Sequence, residues 1–310
     1  MTTDLLLSQA IEGFALARLA DGYSPDTIRQ YKWGLNYLIL STGDLSVKKI
    51  TKTHIRELLS SIQGGNLSAV SIFHVWKAIR AFYKWASVEL KIPRPDMEIK
   101  APPHQYPEVV PFTQDDIKQL LRLVDRTKPS EGRKTGFTMS RPSALRDRAI
   151  ILTLLDTGIR AGELCRLRVS DIDLQTGTLQ VNPFKSGKKS RPRVIPIGVN
   201  TRKVIWRYLV DRPKEELAFC TSLSLRPLDR SSLLHLLVRL GERSGIADVH
   251  PHRFRHTFAV TFLRNGGDVF SLQRLLGHSS LEMVRHYLAL AQSDDVAAHR
   301  KASPVDNWRL

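Results

Sequence analysis

Leu276-Gly277-His278-Ser279-Ser280-Leu281-Glu282-Met283-Val284-Arg285-His286-Tyr287 reads as a helix end at glycine, a histidine just past it, and a short helix carrying a tyrosine nine residues on. A phenol ionises at about pH 10, so such a tyrosine is a nucleophile only if other residues supply positive charge and proton transfer. Immediately upstream, Val269–Leu276 reads as a helix, and before it another opens at His250-Pro251 and runs to Leu263. Phe254, Phe258 and Phe262, four apart, form the apolar side of that helix, with His252, Arg255, His256 and Ala259 on the opposite face. Still further back, Ser143 is placed to cap a helix of Leu145, Ala149, Ile150, Leu152 and Leu155 that ends at Thr157-Gly158. Arg160 follows, and a new helix begins at Ala161-Gly162-Glu163-Leu164. Between these helices Thr178–Val181 and Arg193–Ile197 read as two strands joined by the turn Lys185-Ser186-Gly187-Lys188-Lys189. Thr201–Val210 and Ser231–Ser244 read as helices and Leu217–Thr221 as a short strand.

The first hundred residues carry only helical signals. Leu6, Ile11, Phe14, Ala15 and Leu19 line a helix over residues 5–20, and Ser24-Pro25 caps a second that Gly43 stops. Thr51 opens a third helix to about Ile62, and Ser68 a fourth that carries Val70, Phe73, Val75, Ile79, Phe82, Tyr83 and Trp85. Lys77, Arg80 and Lys84 recur at helical spacing on the fourth, a candidate face for a nucleic-acid backbone, although any one of them also suits an ordinary solvated surface. From Lys91 to Pro111 the chain is proline-dense and sustains neither helix nor central strand. The expected layout is a helical domain over residues 1–100, a proline-rich linker over 101–111, and a second domain over 112–310. A linker there would suit a clamp that closes around a duplex. Thr113 to Asp116 caps a helix to about Leu123, and residues 126–143, with Lys128, Arg133, Lys134 and Arg141, read as a basic loop.

A net charge of +17 makes a polyanion the expected partner, through the field it creates and the counterions it would release. The basic residues are spread over several elements instead of forming one amphipathic helix, which argues against a membrane surface. No apolar run is long enough to cross a bilayer, and the first residues show no basic region before an apolar segment, so cytoplasm is the expected compartment. Cys165 and Cys220 have no paired spacing and are expected as buried free thiols. His252 and His256 stand four apart like zinc ligands on a helix, but they flank Arg253 and Arg255 where such helices carry a glutamate, which disfavours a metal.

The series Thr157-Gly158-Ile159-Arg160-Ala161-Gly162-Glu163-Leu164, Lys185 in its hairpin, His252-Arg253-Phe254-Arg255-His256, Leu275-Leu276-Gly277-His278 and Tyr287 resembles, in order and spacing, the motif set of the tyrosine recombinase (phage integrase) family. The resemblance implies a mainly α fold with a small β-sheet (α+β), in which an N-terminal helical core-binding (SAM-like) domain precedes the catalytic domain. It implies that Arg160 and Arg255 hold a DNA phosphodiester, a task suited to two guanidiniums that stay charged. It further implies that His252 manages the tyrosine proton, that His278 hydrogen-bonds the scissile phosphate, and that Tyr287 is the nucleophile. Lys185 matches the general acid that protonates the leaving 5′-oxygen, ahead of Lys188 and Lys189, which remain candidate DNA contacts. Glu163 matches a supporting acidic position beside Arg160.

By the same resemblance the reaction passes through a 3′-phosphotyrosyl link and a Holliday junction, with no metal, nucleotide or other cofactor. The expected partners are double-stranded DNA with paired inverted sites and further copies of the chain, a monomer in solution that forms a homotetramer on synapsed DNA. The tail after residue 289, ending in Trp308 and Leu310, is expected to dock on a neighbouring protomer. A non-cutting DNA-binding protein of the same fold and a type IB topoisomerase-like relaxing enzyme are the alternatives. The two-domain layout leans toward a Xer-like or simple-site enzyme. It leaves open chromosome-dimer, phage or conjugative-element, and transposon resolution sites.

Overall fold

The structure is a computed structural model that describes residues 5–105, 110–126, 139, 141–182, 192–212, 215–220, 226–278, 281, 284, 285, 287, 288 and 303. The chain divides into two compact units, Met1–Glu108 and Val109–Leu310.

The first unit is a bundle of α1 (Leu7–Ala20), α2 (Pro25–Thr42), α3 (Lys52–Gln63) and α4 (Ala69–Glu89). Local chemistry sets its boundaries. The side chains of Ser24, Thr51 and Ser68 accept from the third amide of the helices they open, and Gly43 leaves α2 at φ +74°. Leu7, Phe14, Leu35, Leu38, Ile55, Val75, Ile79, Phe82 and Tyr83 fill the core. Each large apolar side chain taken from water there contributes roughly 1.5–3 kcal/mol. Leu19, which the helical pattern places inside, is exposed, while Leu7 and Ala10 face the core. α2 and α4 meet closely at Gly34, where a Cβ would stand 2.8 Å from that of Ala78. The proline-dense stretch that follows holds on to α4: Trp76 Nε1 donates to the Ile99 carbonyl at 3.2 Å, and His104 stacks on Phe73 with ring centres 3.7 Å apart.

The second unit comprises α5 (Gln114–Asp125), α6 (Ala144–Thr157), α7 (Ala161–Leu164), β1 (Ile172–Asp173), β2 (Thr178–Val181), β3 (Arg193–Pro196), α8 (Val199–Asp211), α9 (Arg230–Ser244), α10 (Pro251–Arg264) and α11 (Val269–Leu276). The strands form one antiparallel sheet in the order β1-β2-β3, with Leu179 opposite both Ile172 and Ile195. The mainly helical architecture with a small sheet is the expected one, and three details differ. β1 is an added strand, formed because the Asp173 side chain accepts from the amides of Gln175 and Thr176 and turns the chain back through Gly177 at φ +73°. Leu217–Cys220 makes isolated bridges to Arg168 and Pro227 in place of a strand. Ser143 does not cap α6: its hydroxyl donates to Asp147 at 3.1 Å, drawn by a fully buried carboxylate that Arg141 and Arg146 also bind. The β2–β3 turn with Lys185, Lys188 and Lys189, residues 127–138 of the basic loop, and the tail after residue 288 apart from Ser303 lie outside the described residues.

The core of this unit gathers Ile150, Leu154, Ile159, Leu179, Ile195, Phe219, Leu237 and Phe254. α10 runs against α6 and buries Phe254, but Arg255 and His256 are buried with it, so its polar face is turned inward. A buried charged face is costly unless it is met by partners, and those partners form the candidate site.

Candidate active site

Two left-handed helix ends create a cradle for one guanidinium. α6 ends at Gly158 with φ +59° and α11 at Gly277 with φ +64°, a conformation that turns the last carbonyls away from their helices. Only 2% of Arg255 is exposed, and it takes both: Nη1 donates to the Gly158 oxygen and Nη2 to that of Leu276, each at 2.7 Å. Nη2 also meets His278 Nε2 at 2.7 Å. The negative ends of two helices thus compensate a buried cation. Glycine at 158 is required twice over, because a Cβ there would lie 2.5 Å from the Phe258 ring. Burial first, and then the neighbouring Arg160, pull Arg255 down to about 9, still cationic at neutral pH.

Arg160 stands at the N-cap of α7, and its own amide donates to Glu163 Oε2 at 2.8 Å while its Nη1 donates to Oε1 at 3.3 Å. The strongest partner of Glu163 is Arg193 of β3, with Nη1 to Oε1 at 3.0 Å and Nη2 to Oε2 at 2.8 Å. Nε of Arg193 donates to the Leu275 oxygen at 2.6 Å. Arg193 therefore ties the sheet to the loop of Arg160 and to the end of α11, and the sequence marks it only as a strand residue. The available signal was Glu163 itself, since a buried carboxylate needs a cation. Arg193→Met is expected to cost about 3–5 kcal/mol by leaving Glu163 charged and buried, and Arg193→Lys to recover only part, as a point charge cannot serve both oxygens and a carbonyl. Urea midpoints measure this, and a loss below about 1 kcal/mol would show that Glu163 finds another partner.

Tyr287 comes in from beyond α11. It is buried among Ala259, Val260, Leu272, Leu276 and Val284, with its ring against His256 at 5.1 Å and parallel to that of His278 at 6.4 Å. Burial pushes its phenol up, while the nearby charges of Arg255 and Arg160 draw it down. His252 is exposed beside these groups, its ring 4.4 Å from that of His256. Desolvation and then Arg255 lower its pKa, which keeps it neutral and able to accept a proton. The inward position of His256 follows from α10 packing its polar face inside, a tertiary fact that helical spacing does not show.

His278 faces Arg255. Burial, with Arg255 and Arg160 next, holds it at about 3, so its ring is neutral and its proton sits on Nδ1. Unfolded histidine titrates at about 6.5, so between those values the unfolded chain binds a proton that the folded one refuses. The ring's contribution is therefore unimpaired above about pH 6.5 and stability falls as pH drops toward 3, by up to about 1.4 kcal/mol per pH unit. Between pH 7 and pH 5, His278→Gln is expected to lose less stability than the unaltered protein, and equal losses in denaturant titrations would remove His278 from that account.

Arg160, Arg255, His252, His250 and Arg230 line one pocket of about 400 Å³, with Ile159, Ala161, Leu234 and Pro251 as its apolar wall. Its charged lining is entirely cationic, a setting for a phosphodiester. The structure therefore brings Arg160, Glu163, His252, Arg255, His278 and Tyr287 together. In the first unit Lys77 and Lys84 are exposed on α4, while Arg80 between them lies over the Trp76 ring and 3.8 Å from Asp96. Among the described residues no group of His, Cys, Asp and Glu is placed to hold a metal, and Cys165 and Cys220 are buried free thiols.

Residues 112–294 match the phage integrase family, and residues 12–89 match the N-terminal SAM-like domain of phage integrases. The tyrosine recombinase XerA of Thermococcus kodakarensis is 28% identical over 96% of this chain and 97% of its own. The tyrosine recombinase XerC of Alcanivorax borkumensis is 30% identical over 86% of this chain and 84% of its own. Among solved structures, the Tn1549 transposon integrase in complex with a circular intermediate DNA has the same fold, with a TM-score of 0.76 at 18% identity over 96% of this chain and 99% of that one. With more than half its length matched by the family and these relatives spanning nearly all of it, the chain belongs to the phage integrase family, the tyrosine recombinases.

Proposed function

We propose that the chain recombines DNA at specific sites by cleaving and rejoining strands through Tyr287. The observation that carries this reading is the packing of Tyr287 against His256 and His278, the latter bonded to Arg255, beside a cationic pocket that Arg255 shares with Arg160. A phosphate seated there would have its oxygens on the two guanidiniums, and the Tyr287 oxygen would attack phosphorus. His252, neutral and next to the pocket, takes the phenolic proton. As the Tyr287 oxygen–phosphorus bond forms, the bond to the 5′-oxygen breaks, and Lys185 supplies the proton that leaves with it. The product is a 3′-phosphotyrosine and a free 5′-hydroxyl. The hydroxyl of a partner strand reverses the step, so the linkage conserves the bond energy and needs no nucleotide hydrolysis. Glu163 holds Arg160 in place.

The first unit acts as the core-binding domain, with Lys77 and Lys84 toward the DNA backbone and Arg80 steadying Trp76. Lys188 and Lys189 add backbone contacts from the hairpin. Four copies on two duplexes with paired inverted sites exchange strands through a Holliday junction, joined by tails docked between neighbours. A protein that acts on DNA would work in the cytoplasm.

The test is incubation with nicked suicide duplexes drawn from a pool of paired inverted half-sites, followed by denaturing electrophoresis and peptide mapping. A covalent adduct on the peptide that holds Tyr287 supports the reading. Binding with no adduct on any selected duplex would leave a non-cutting DNA-binding protein, and adducts at every nick without site preference would point to a relaxing enzyme.

A further inference from the structure

His252 and Arg255 of α10 face the proton and the phosphate of the cleavage step. His256, one residue beyond Arg255 and one turn beyond His252, has no part in it so far, yet only 7% of it is exposed. Its ring meets that of His252 nearly edge-on, with centres 4.4 Å apart and planes at 82°, and meets the Tyr287 ring with centres 5.1 Å apart and planes at 59°. One imidazole thus packs against both the group that takes the phenolic proton and the group that loses it.

Bulk alone does not account for a histidine at this place. The cluster around Tyr287 is built from Ala259, Val260, Leu272, Leu276 and Val284, and an apolar side chain would join it without the desolvation that an imidazole carries. A leucine would fill a similar volume, but its branched end offers neither the flat face nor the edge against which aromatic rings settle. The helix supplies a fixed frame as well. His252, Arg255 and His256 keep their spacing within α10, so a phenol resting on His256 is placed relative to the guanidinium of Arg255 and not only by the segment that brings Tyr287 in.

We propose that His256 is a positioning residue: its ring sets the Tyr287 phenol and the His252 imidazole relative to Arg255, so that nucleophile, proton acceptor and seated phosphate come into line together. This rests on the strand-cleavage reading above. His256 exchanges no proton and does not touch phosphorus; it acts through the two rings. Such alignment is steep in rate, since a misplacement of about 1 Å can cost about 10²-fold.

His256→Leu, His256→Phe and His256→Ala are compared with the unaltered protein in single-turnover adduct formation on a selected nicked suicide duplex. The assays run at saturating DNA, well below the melting temperature of each variant, and gel shifts give Kd. His256→Leu and His256→Ala are expected to slow adduct formation by about 10²-fold while Kd changes less than about threefold. His256→Phe, which restores a planar ring, should regain at least about tenfold of that loss. A space-filling role would leave His256→Leu within about tenfold of the unaltered rate, and that result would overturn the proposal. His256→Phe as slow as His256→Leu would overturn it too, because the imidazole nitrogens would then be what the site requires. Adduct formation on Tyr287 by the unaltered protein keeps the cleavage reading standing in either case, and its absence would take both down.

Discussion

Tyr287→Phe is expected to form no covalent adduct with nicked DNA, a loss below detection, while keeping its melting temperature within a few degrees of the unaltered protein. The substitution removes one oxygen and leaves the ring, and it is the ring that packs against His256, His278 and the apolar cluster of α10 and α11. Arg255 keeps the carbonyls of Gly158 and Leu276 and the His278 ring, so no buried charge is stranded. Loss of a single hydroxyl under those conditions costs about 1 kcal/mol. The chemistry has no such reserve. Burial raises the phenol above its ordinary value, so no prior ionisation supplies a nucleophile, and the oxygen must be deprotonated as it attacks. Residual adduct in Tyr287→Phe, mapped to a different peptide, would reassign the nucleophile. A collapse in melting temperature with no adduct would show that the hydroxyl is structural, and the suicide duplex would then have to be repeated with Tyr287→Trp or a similar ring that refills the site.

How much of this was legible beforehand depended on whether the determining interaction is local. Ser24, Thr51, Ser68 and Thr113 act within one helical turn, and their caps stand where the sequence places them. Ser143 has the same local signature, yet its hydroxyl is captured by Asp147, whose burial depends on Arg141 and Arg146. Order and spacing pointed to Arg160, Glu163, His252, Arg255, His278 and Tyr287, which do lie near one another, but the links between them were not legible. Arg193 meets Glu163 across 30 positions and the Leu275 carbonyl across 82, and neither pairing leaves any periodicity in the chain. Arg255 bonds to backbone carbonyls of residues 158 and 276, whose side chains say nothing of it. Gly158 and Gly277 did signal helix ends; that the freed carbonyls converge on one guanidinium is a property of how α6, α10 and α11 pack. His256 was visible as a neighbour of Arg255 on one helix face, and only the inward turn of that face puts it against Tyr287.

Arg255→Lys is expected to slow adduct formation at saturating DNA by about 10³-fold, equivalent to roughly 4 kcal/mol of transition-state stabilisation, and to lower folding stability by about 2–4 kcal/mol. The two effects share a geometric cause. A guanidinium offers five N–H donors in a fixed plane. In the free chain the carbonyls of Gly158 and Leu276 and the His278 ring already engage it, and these bonds are what make so buried a cation tolerable. The guanidinium still has donors beyond those three bonds, and they would face the charge that develops on the phosphate oxygens. Lysine has three donors around a single point: it cannot hold two helix ends and also offer donors to a phosphate. Single-turnover kinetics separate the effects from binding, and denaturant midpoints report the structural share. A rate loss under tenfold with the full loss of stability would assign Arg255 to holding α6 and α11 together and leave the phosphate to Arg160.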